Sequence, residues 1–197
     1  SAHWSRFWQD QGLKPNEIFY RKGLKRNDQL EELESSIGSA TKVAGIVVDT
    51  VDEIVHGAVL GKRGIATQIE HWCDSGFVDR LIALLLAKGF DVYLTADHGN
   101  VEAIGQGRPK QGVAAEMRGE RVRTYRNEAI AAESEAACPG SHRINVAGLP
   151  VNYQALFAGG RSAFMLQGEH AVVHGGVSVE ELMVPFVRII HEKKNER

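Results

Sequence analysis

Two apolar runs that end in polar residues constrain the fold of this chain more than any other feature. Residues 42–48 and 90–95 are largely apolar, and the first run is rich in β-branched side chains. Runs of this kind are typical of central strands that are buried on both faces of a sheet. The segments 65–72 and 78–87 between them have helical patterns. The order strand, helix, helix, strand predicts an α/β fold with parallel strands.

Capping residues and turn signals predict further elements along the chain. Asn27 or Asp28 can cap a short helix that ends at Gly38. Ser178 and Glu181 have the spacing of a capping box. The other predicted elements are a helix over 53–59, a strand over 120–125, a helix over 127–137, a hairpin of 153–157 and 162–166, and a last strand over 186–190.

The bulk composition restricts the classes of protein to which the chain can belong. A length of 197 residues with 43% hydrophobic content predicts one sizeable core. A net charge of −2 argues against strong electrostatic binding of nucleic acid over the whole surface. No apolar run approaches the roughly 20 residues of a membrane span, and no secretory leader pattern opens the chain, so we expect a cytoplasmic location. Cys73 and Cys138 are expected to be reduced, partly buried thiols, with a disulfide or metal role as the alternative.

Asp52 and His56 form the first candidate ligand pair. They are four residues apart, a spacing that puts both on one face of a helix with Cβ atoms about 5–6 Å apart. A carboxylate and an imidazole at that separation can chelate one Zn²⁺ or Mn²⁺. The alternative is an ordinary surface pair, or a carboxylate that the helix dipole favours near the N-terminus.

Asp97 and His98 form the second pair, directly after the apolar run 90–95. An Asp at the end of a buried strand is costly unless a partner neutralises its charge. Gly99 permits a sharp turn that lets neighbouring side chains converge. The alternative is an Asp that caps the next turn.

His174 follows another apolar run and precedes two glycines, which admit close approach by a ligand or another backbone. A lone histidine can equally be a structural residue. Taken together, the three segments supply two Asp and three His at the ends of apolar runs. This set of side chains suits a two-metal hydrolytic site.

Arg121 and Arg123 are candidate phosphate ligands. On a strand over 120–125 they share a face, and two guanidinium groups there can bind phosphate oxygens. The alternative is a solvated, charged edge strand. The cluster 118–126 is also the only support in the sequence for direct DNA binding.

These motifs resemble those of a known enzyme superfamily. The sequence Thr-Ala-Asp-His-Gly-Asn at 95–100, with Asp52-x-x-x-His56 and the later His174, resembles the alkaline phosphatase superfamily. Residues 174–185 resemble, more narrowly, the PglZ domain of phage-resistance systems of the BREX type. The resemblance covers about 43–190. It implies an α/β three-layer sandwich with a mostly parallel central sheet, incomplete at its N-terminus.

The resemblance also implies roles for the candidate ligands. Asp52, His56 and His174 resemble the ligands of one metal ion, and Asp97 and His98 resemble ligands of a second. The ions would be Zn or Mn. The superfamily's Ser or Thr nucleophile and a further Asp find no match, so both are expected outside this chain, which would then be a C-terminal portion of a longer protein.

The implied function is that of a metal-dependent phosphatase or phosphodiesterase in a phage-defence complex, with the isolated chain expected to be inactive. Its partners would be other components of that complex, and its substrate a phosphate ester or a nucleic-acid-derived molecule. Two alternatives stay open: a scaffold domain without catalysis, and a fragment similar to phosphoglycerate mutase.

Three segments divide the chain in this interpretation. Residues 1–42 form an N-terminal wrapped segment with aromatic anchors and a short helix. Residues 43–190 form the domain that carries the resemblance, and residues 191–197 are a charged tail.

Overall fold

The structure is a computed structural model that describes residues 1–57, 61–110, 112–114, 120–145, 148, 150 and 152–190. The chain divides into two compact units. The first unit consists of Ser1–Gly57, Ile65–Val92 and Arg188–Arg197. The second consists of Ala58–Gly64 and Tyr93–Val187. The predicted tail, residues 191–197, lies outside the described residues.

The first unit contains most of the helices. The elements of this unit in chain order are α1 (Ala2–Asp10), β1 (Ile18–Leu24), α2 (Leu30–Ser36), β2 (Val43–Val48), α3 (Thr50–Gly57), α4 (Gly61–Asp74), whose first turn belongs to the second unit, and α5 (Phe77–Ala87), with short 3₁₀ turns at Pro15–Glu17 and Asn27–Gln29. The strands β1 and β2 form a parallel pair in which Ile18 lies opposite Val43.

Apolar side chains of α2 and α5 form the core of the first unit. Leu33 is 2% exposed, and Phe77 and Leu24 are fully buried. The core members are Leu24, Leu30, Leu33, Ile37, Phe77, Leu81 and Leu85. The apolar spacing that predicted helices near 27–37 and 78–87 is therefore the spacing of the residues that these helices bury.

Trp4 anchors the N-terminal helix α1 to the strand pair. Its indole Nε1 donates a hydrogen bond to the Phe19 carbonyl at 2.9 Å. The ring lies so close to Gly45 that a Cβ on that residue would stand 2.7 Å from it. The sequence predicted aromatic anchoring of this segment, but the helix α1 and the strand β1 were not predicted.

The second unit is built mainly from strands. The elements are β3 (Val92–Thr95), whose first residue belongs to the first unit, β4 (Val101–Gly105), β5 (Val113–Ala114), β6 (Val122–Tyr125), α6 (Glu128–Ala137), β7 (His142–Ile144), β8 (Gln154–Phe157), β9 (Ser162–Ala163), β10 (His170–Val173), α7 (Val179–Leu182) and β11 (Phe186–Ile189), whose last two residues belong to the first unit. One sheet has the order β10-β4-β9, a second has the order β5-β6-β8-β7, and β11 pairs with β3.

Small apolar clusters hold these sheets together. Burial alternates along β4, with Val101, Ala103 and Gly105 buried and the residues between them exposed, as expected for a strand with one face on the core. This face packs with Ala163, Met165 and Val173. A second cluster consists of Tyr125, Ala131, Cys138, Leu156, Ala158 and Phe164.

The predicted hairpin of 153–157 and 162–166 is wrong. Strand β8 pairs antiparallel with β6 and β7, whereas β9 pairs parallel with β4 in a different sheet. Gly159 packs against the Gly140 backbone, where a Cβ would lie 1.9 Å from the Gly140 carbonyl oxygen. Gly159, one of the two adjacent glycines that suggested a hairpin turn, instead permits this close approach in the segment that joins strands of different sheets.

The described strands form four small sheets of two to four strands with mixed pairing. The α/β class is confirmed, but a mostly parallel central sheet is not seen in the described part of the chain. The expected burial of the two apolar runs is wrong: β2 is mostly half-buried, and Tyr93 and Leu94 of β3 are 53% and 48% exposed. Each strand has one described neighbour, so its faces are not covered as a central strand's would be.

Cys73 and Cys138 are both free thiols, as predicted. Cys138 is buried and burial raises its pKa, whereas Cys73 is exposed rather than partly buried. None of the helices in the described ranges combines the length and the apolar character needed to cross a membrane.

Candidate metal centre

Asp52 and His56 both lie on helix α3, which begins at Thr50 directly after β2. Their spacing puts them on one face of this helix, as predicted. Asp52 is exposed. The side chain of His56 lies outside the part of the chain that the structure describes, so the predicted chelating pair stays a prediction.

Asp97 and His98 lie in the turn between β3 and β4. The Asp97 carboxylate is 91% exposed, and its Oδ1 is 3.9 Å from Nε2 of His98. The same oxygen accepts a hydrogen bond from the His98 backbone N–H at 3.0 Å. The carboxylate therefore stabilises its own turn and remains open to solvent, so it is accessible to a cation.

His98 and His174 form a stacked pair of imidazole rings. Their centroids are 4.1 Å apart and the ring planes differ by 15°. His174 is 4% exposed, while the His98 side chain is 30% exposed. Two of the three predicted histidines are thus in direct contact.

The register of β4 and β10 explains how distant histidines meet. These strands are antiparallel, with Val101 opposite Val173. In such a pair, the chain that enters one strand and the chain that leaves the other lie at the same end. His98 comes shortly before Val101, and His174 comes directly after Val173.

The His98 ring has the hydrogen-bonding environment of a metal ligand. Its Nδ1 is 3.1 Å from the Gly99 carbonyl oxygen. In the tautomer that carries its proton on Nδ1, this nitrogen donates to the carbonyl and Nε2 keeps its lone pair. A histidine ligand commonly donates its other ring N–H to a carbonyl in this way, which fixes the ring.

The donor set fits zinc or manganese in chemistry but is incomplete in number. Two ligands of one tetrahedral Zn²⁺ lie about 3.3 Å apart, so the 3.9 Å between Asp97 and His98 requires only a small adjustment. Within the described ranges, however, no group of three or more His, Cys, Asp or Glu side chains is arranged to hold a metal ion. The second unit offers part of a ligand set.

A buried ion pair lies beside these segments and was not predicted. Arg121 and Glu181 are each 1% exposed. The Arg121 Nε and Nη2 donate to the two carboxylate oxygens at 3.1 and 3.2 Å. Burial alone would raise the pKa of Glu181, but hydrogen bonds from Arg121, Ser178 and Gly176 lower it below its ordinary value. Glu181 was predicted only as a helix-capping residue, and its carboxylate does accept the Ser178 N–H at 3.2 Å.

The two arginines predicted to bind phosphate both contact protein acceptors. Arg121 also donates to the carbonyl oxygens of Gly160 and Ser162. Arg123 donates from Nη2 to Glu120 at 2.9 Å and to the Phe164 carbonyl at 3.3 Å. A phosphate would have to displace these acceptors, most of all around the buried Arg121. Arg118 of the same cluster lies outside the described residues.

The fold and the site define a mixed α/β domain in which an Asp-His turn meets a second histidine at the end of paired strands. The chain belongs to the PglZ family, because the family model for the BREX system PglZ alkaline phosphatase-like domain matches residues 1–189. This match includes the first 42 residues, which the motif resemblance left out. No curated protein matches the chain.

Proposed function

We propose that this BREX PglZ domain takes part in metal-dependent hydrolysis of a phosphate ester, as a phosphatase or phosphodiesterase. The observation that carries the proposal is the stack of His98 on His174, with centroids 4.1 Å apart, beside the exposed carboxylate of Asp97. Imidazole nitrogens and carboxylate oxygens are donors that suit zinc and manganese.

The proposed ligand assignment follows the family pattern. Asp97 and His98 hold one ion, and Asp52, His56 and His174 hold the other. Bound ions of this kind polarise a phosphoryl oxygen and stabilise the attacking and leaving oxygens of a displacement. The contribution of the chain is to fix the His98 ring through Gly99 and to keep His174 buried. No residue of this chain is assigned as the nucleophile.

We also propose the fold that surrounds the complete site, the partners of the chain and its substrate. A three-layer arrangement around one mostly parallel sheet, the arrangement implied by the alkaline phosphatase-like description, would be the setting of the complete site. The partners would be other components of the defence system, and the substrate would be a phosphate monoester or a phosphodiester such as a nucleic acid.

The test is the metal content of the purified chain, measured by mass spectrometry. We expect about one to two equivalents of Zn or Mn in the wild type. The Asp97→Ala/His98→Ala double variant and the His174→Ala variant should each lose part of that content. His170→Ala is the matched control, because His170 opens β10 and is exposed. Equal metal content in all four proteins would contradict the ligand assignment.

A scaffold role is the second candidate, and one observation favours it. The residues that the structure describes include no assembled group of three metal-binding side chains. A scaffold would remain free of metal even after incubation with Zn²⁺ and Mn²⁺, and its binding to other proteins of the defence system would not change in the His174→Ala variant.

A further inference from the structure

The ion pair of Arg121 and Glu181 needs an explanation beyond stability. These two are the buried charged residues in the described part of the chain. Burying an ion pair requires desolvation of both charges, and apolar residues of similar volume often stabilise a protein equally well or better. A buried polar network whose members are all hydrogen-bonded also rigidifies the segments that it joins.

The hydrogen bonds of the pair show what it holds. The Glu181 carboxylate accepts the Gly176 N–H at 2.8 Å, which fixes the turn that follows His174. The backbone carbonyl of Glu181 accepts the Gly99 N–H at 2.8 Å, which fixes the residue that follows His98. One residue thus contacts both segments that carry the stacked histidines.

Both hydrogen bonds require glycine as the donor residue, because a side chain on Gly99 or Gly176 would collide with the acceptor segment. A Cβ on Gly99 would stand 2.0 Å from the Glu180 carbonyl oxygen. A Cβ on Gly176 would stand 2.5 Å from the Glu181 Oε2 and 2.8 Å from the Arg121 Nε. The two segments are therefore packed directly onto the ion pair and its backbone.

We propose that Glu181, held in place by Arg121, is a positioning residue that sets the geometry of His98 and His174 for metal binding. The proposal rests on the proposed function. Arg121 fixes the carboxylate with two hydrogen bonds and is itself fixed by the carbonyl oxygens of Gly160 and Ser162. The carboxylate and carbonyl of Glu181 then fix the two segments independently.

The test replaces both charges at once. In an Arg121→Met/Glu181→Met variant no charge is left buried without a partner, so we expect it to fold. It lacks the acceptor for the Gly176 N–H, and we expect its Zn²⁺ affinity, measured by competition with a chromophoric chelator, to fall about 10–100-fold. The control removes a second ion pair of the same unit, Glu135 with Arg143, through Glu135→Gln, and should leave that affinity unchanged.

A second readout follows the rings without metal. In the metal-free protein, we expect the imidazole NMR signals of His174 to shift in the double variant, and those of His98 with them because the two rings are stacked, while those of His142 do not shift. Glu181→Gln keeps one acceptor oxygen and should give an intermediate effect on both readouts. If the double variant does not fold, the same two measurements on Glu181→Gln test the proposal.

The outcomes separate the two proposals. Wild-type Zn²⁺ affinity that persists in a folded double variant, with unshifted ring signals, overturns the positioning role alone. A wild type that binds no metal overturns the proposed function, and with it the positioning of a metal site. A lower affinity in both Glu181 variants but not in Glu135→Gln supports the positioning role.

Discussion

The imidazole rings of His98 and His174 lie in parallel contact although the two residues are far apart in sequence. Each was predicted as a ligand from its place at the end of an apolar run and from the family resemblance. The register of β4 and β10 supplies the physical reason for their contact. The geometry of the candidate site therefore depends on the two short turns that carry His98 and His174 and on the hydrogen bonds that hold those turns.

A substitution of Gly99 tests how tightly the turn that carries His98 is packed. A Cβ there would stand 2.0 Å from a carbonyl oxygen of the next segment, so the backbone must shift. We expect Gly99→Ala to lower the free energy of unfolding by about 2 kcal/mol. Urea denaturation followed by circular dichroism measures this. Gly38→Ala is the matched control, since nothing lies within 4 Å of its Cβ position, and a similar loss there would contradict the explanation.

The buried ion pair is a contact between residues that the sequence did not predict. Arg121 and Glu181 are 60 residues apart, and each has a plausible local explanation, one as a surface cation and the other as a helix cap. Local patterns record neither burial nor a distant partner. The Asp97-His98 turn was predictable because its strand, its donors and its glycine are contiguous in sequence.

At the scale of elements, the helix predicted over 127–137 is α6 (Glu128–Ala137), and Asn127 caps its N-terminus. The Asn127 Oδ1 accepts hydrogen bonds from the N–H groups of Ala129 and Ile130 at 2.9 and 3.2 Å. We expect Asn127→Ala to lower the free energy of unfolding by about 1 kcal/mol. Asn127→Asp retains the acceptor and should lose much less. Thermal denaturation of the three proteins compares them, and equal losses in both variants would contradict a capping role.

The same helix is joined to β7 by a carboxylate with a shifted pKa. The backbone N–H and the guanidinium of Arg143 lower the pKa of Glu135. Because the folded-state pKa is below the unfolded value of about 4.3, the charged form stabilises the fold above that pH. This stabilisation is lost as the pH falls through the folded-state pKa.

We therefore expect Glu135→Gln to lower the free energy of unfolding by about 1 kcal/mol at pH 7. The difference from wild type should shrink as the pH falls towards 3. Denaturant unfolding of both proteins across this pH range measures it. A difference that stays constant with pH would show that the charge of Glu135 does not contribute.

The sequence predicted the helices that local patterns define, but it did not predict which strands pair with each other. The helices α2, α5 and α6 were located from the sequence, but the predicted cap at Asn27 or Asp28 is wrong, because α2 begins at Leu30 after Gln29. The hairpin was wrong because two glycines look alike in a hairpin turn and in a crossing between sheets. The strands β2 and β3 were located correctly, but an apolar run does not reveal how many neighbours will cover it.

At the scale of the whole molecule, a metal site predicts a link between metal binding and stability. A ligand that binds only the folded state stabilises it by about 2.7 kcal/mol when its concentration is 100 times its dissociation constant. We expect Zn²⁺ to raise the melting temperature of the wild type and of His170→Ala. The His174→Ala and Asp97→Ala/His98→Ala variants should respond less. Differential scanning fluorimetry with and without a chelator measures this, and equal shifts in all four proteins would point to binding elsewhere.

The chain matches the BREX PglZ alkaline phosphatase-like domain over residues 1–189, and the proposed function assigns phosphate-ester hydrolysis to this site. The central claim is that the His98 and His174 segments hold metal ions. The measurement that tests it most directly is anomalous diffraction from crystals grown with Zn²⁺. We predict a zinc peak about 2.0–2.2 Å from the Asp97 carboxylate and the His98 Nε2, and a second peak at the His174 ring. A zinc-loaded crystal whose anomalous peaks all lie away from these three residues would contradict the claim.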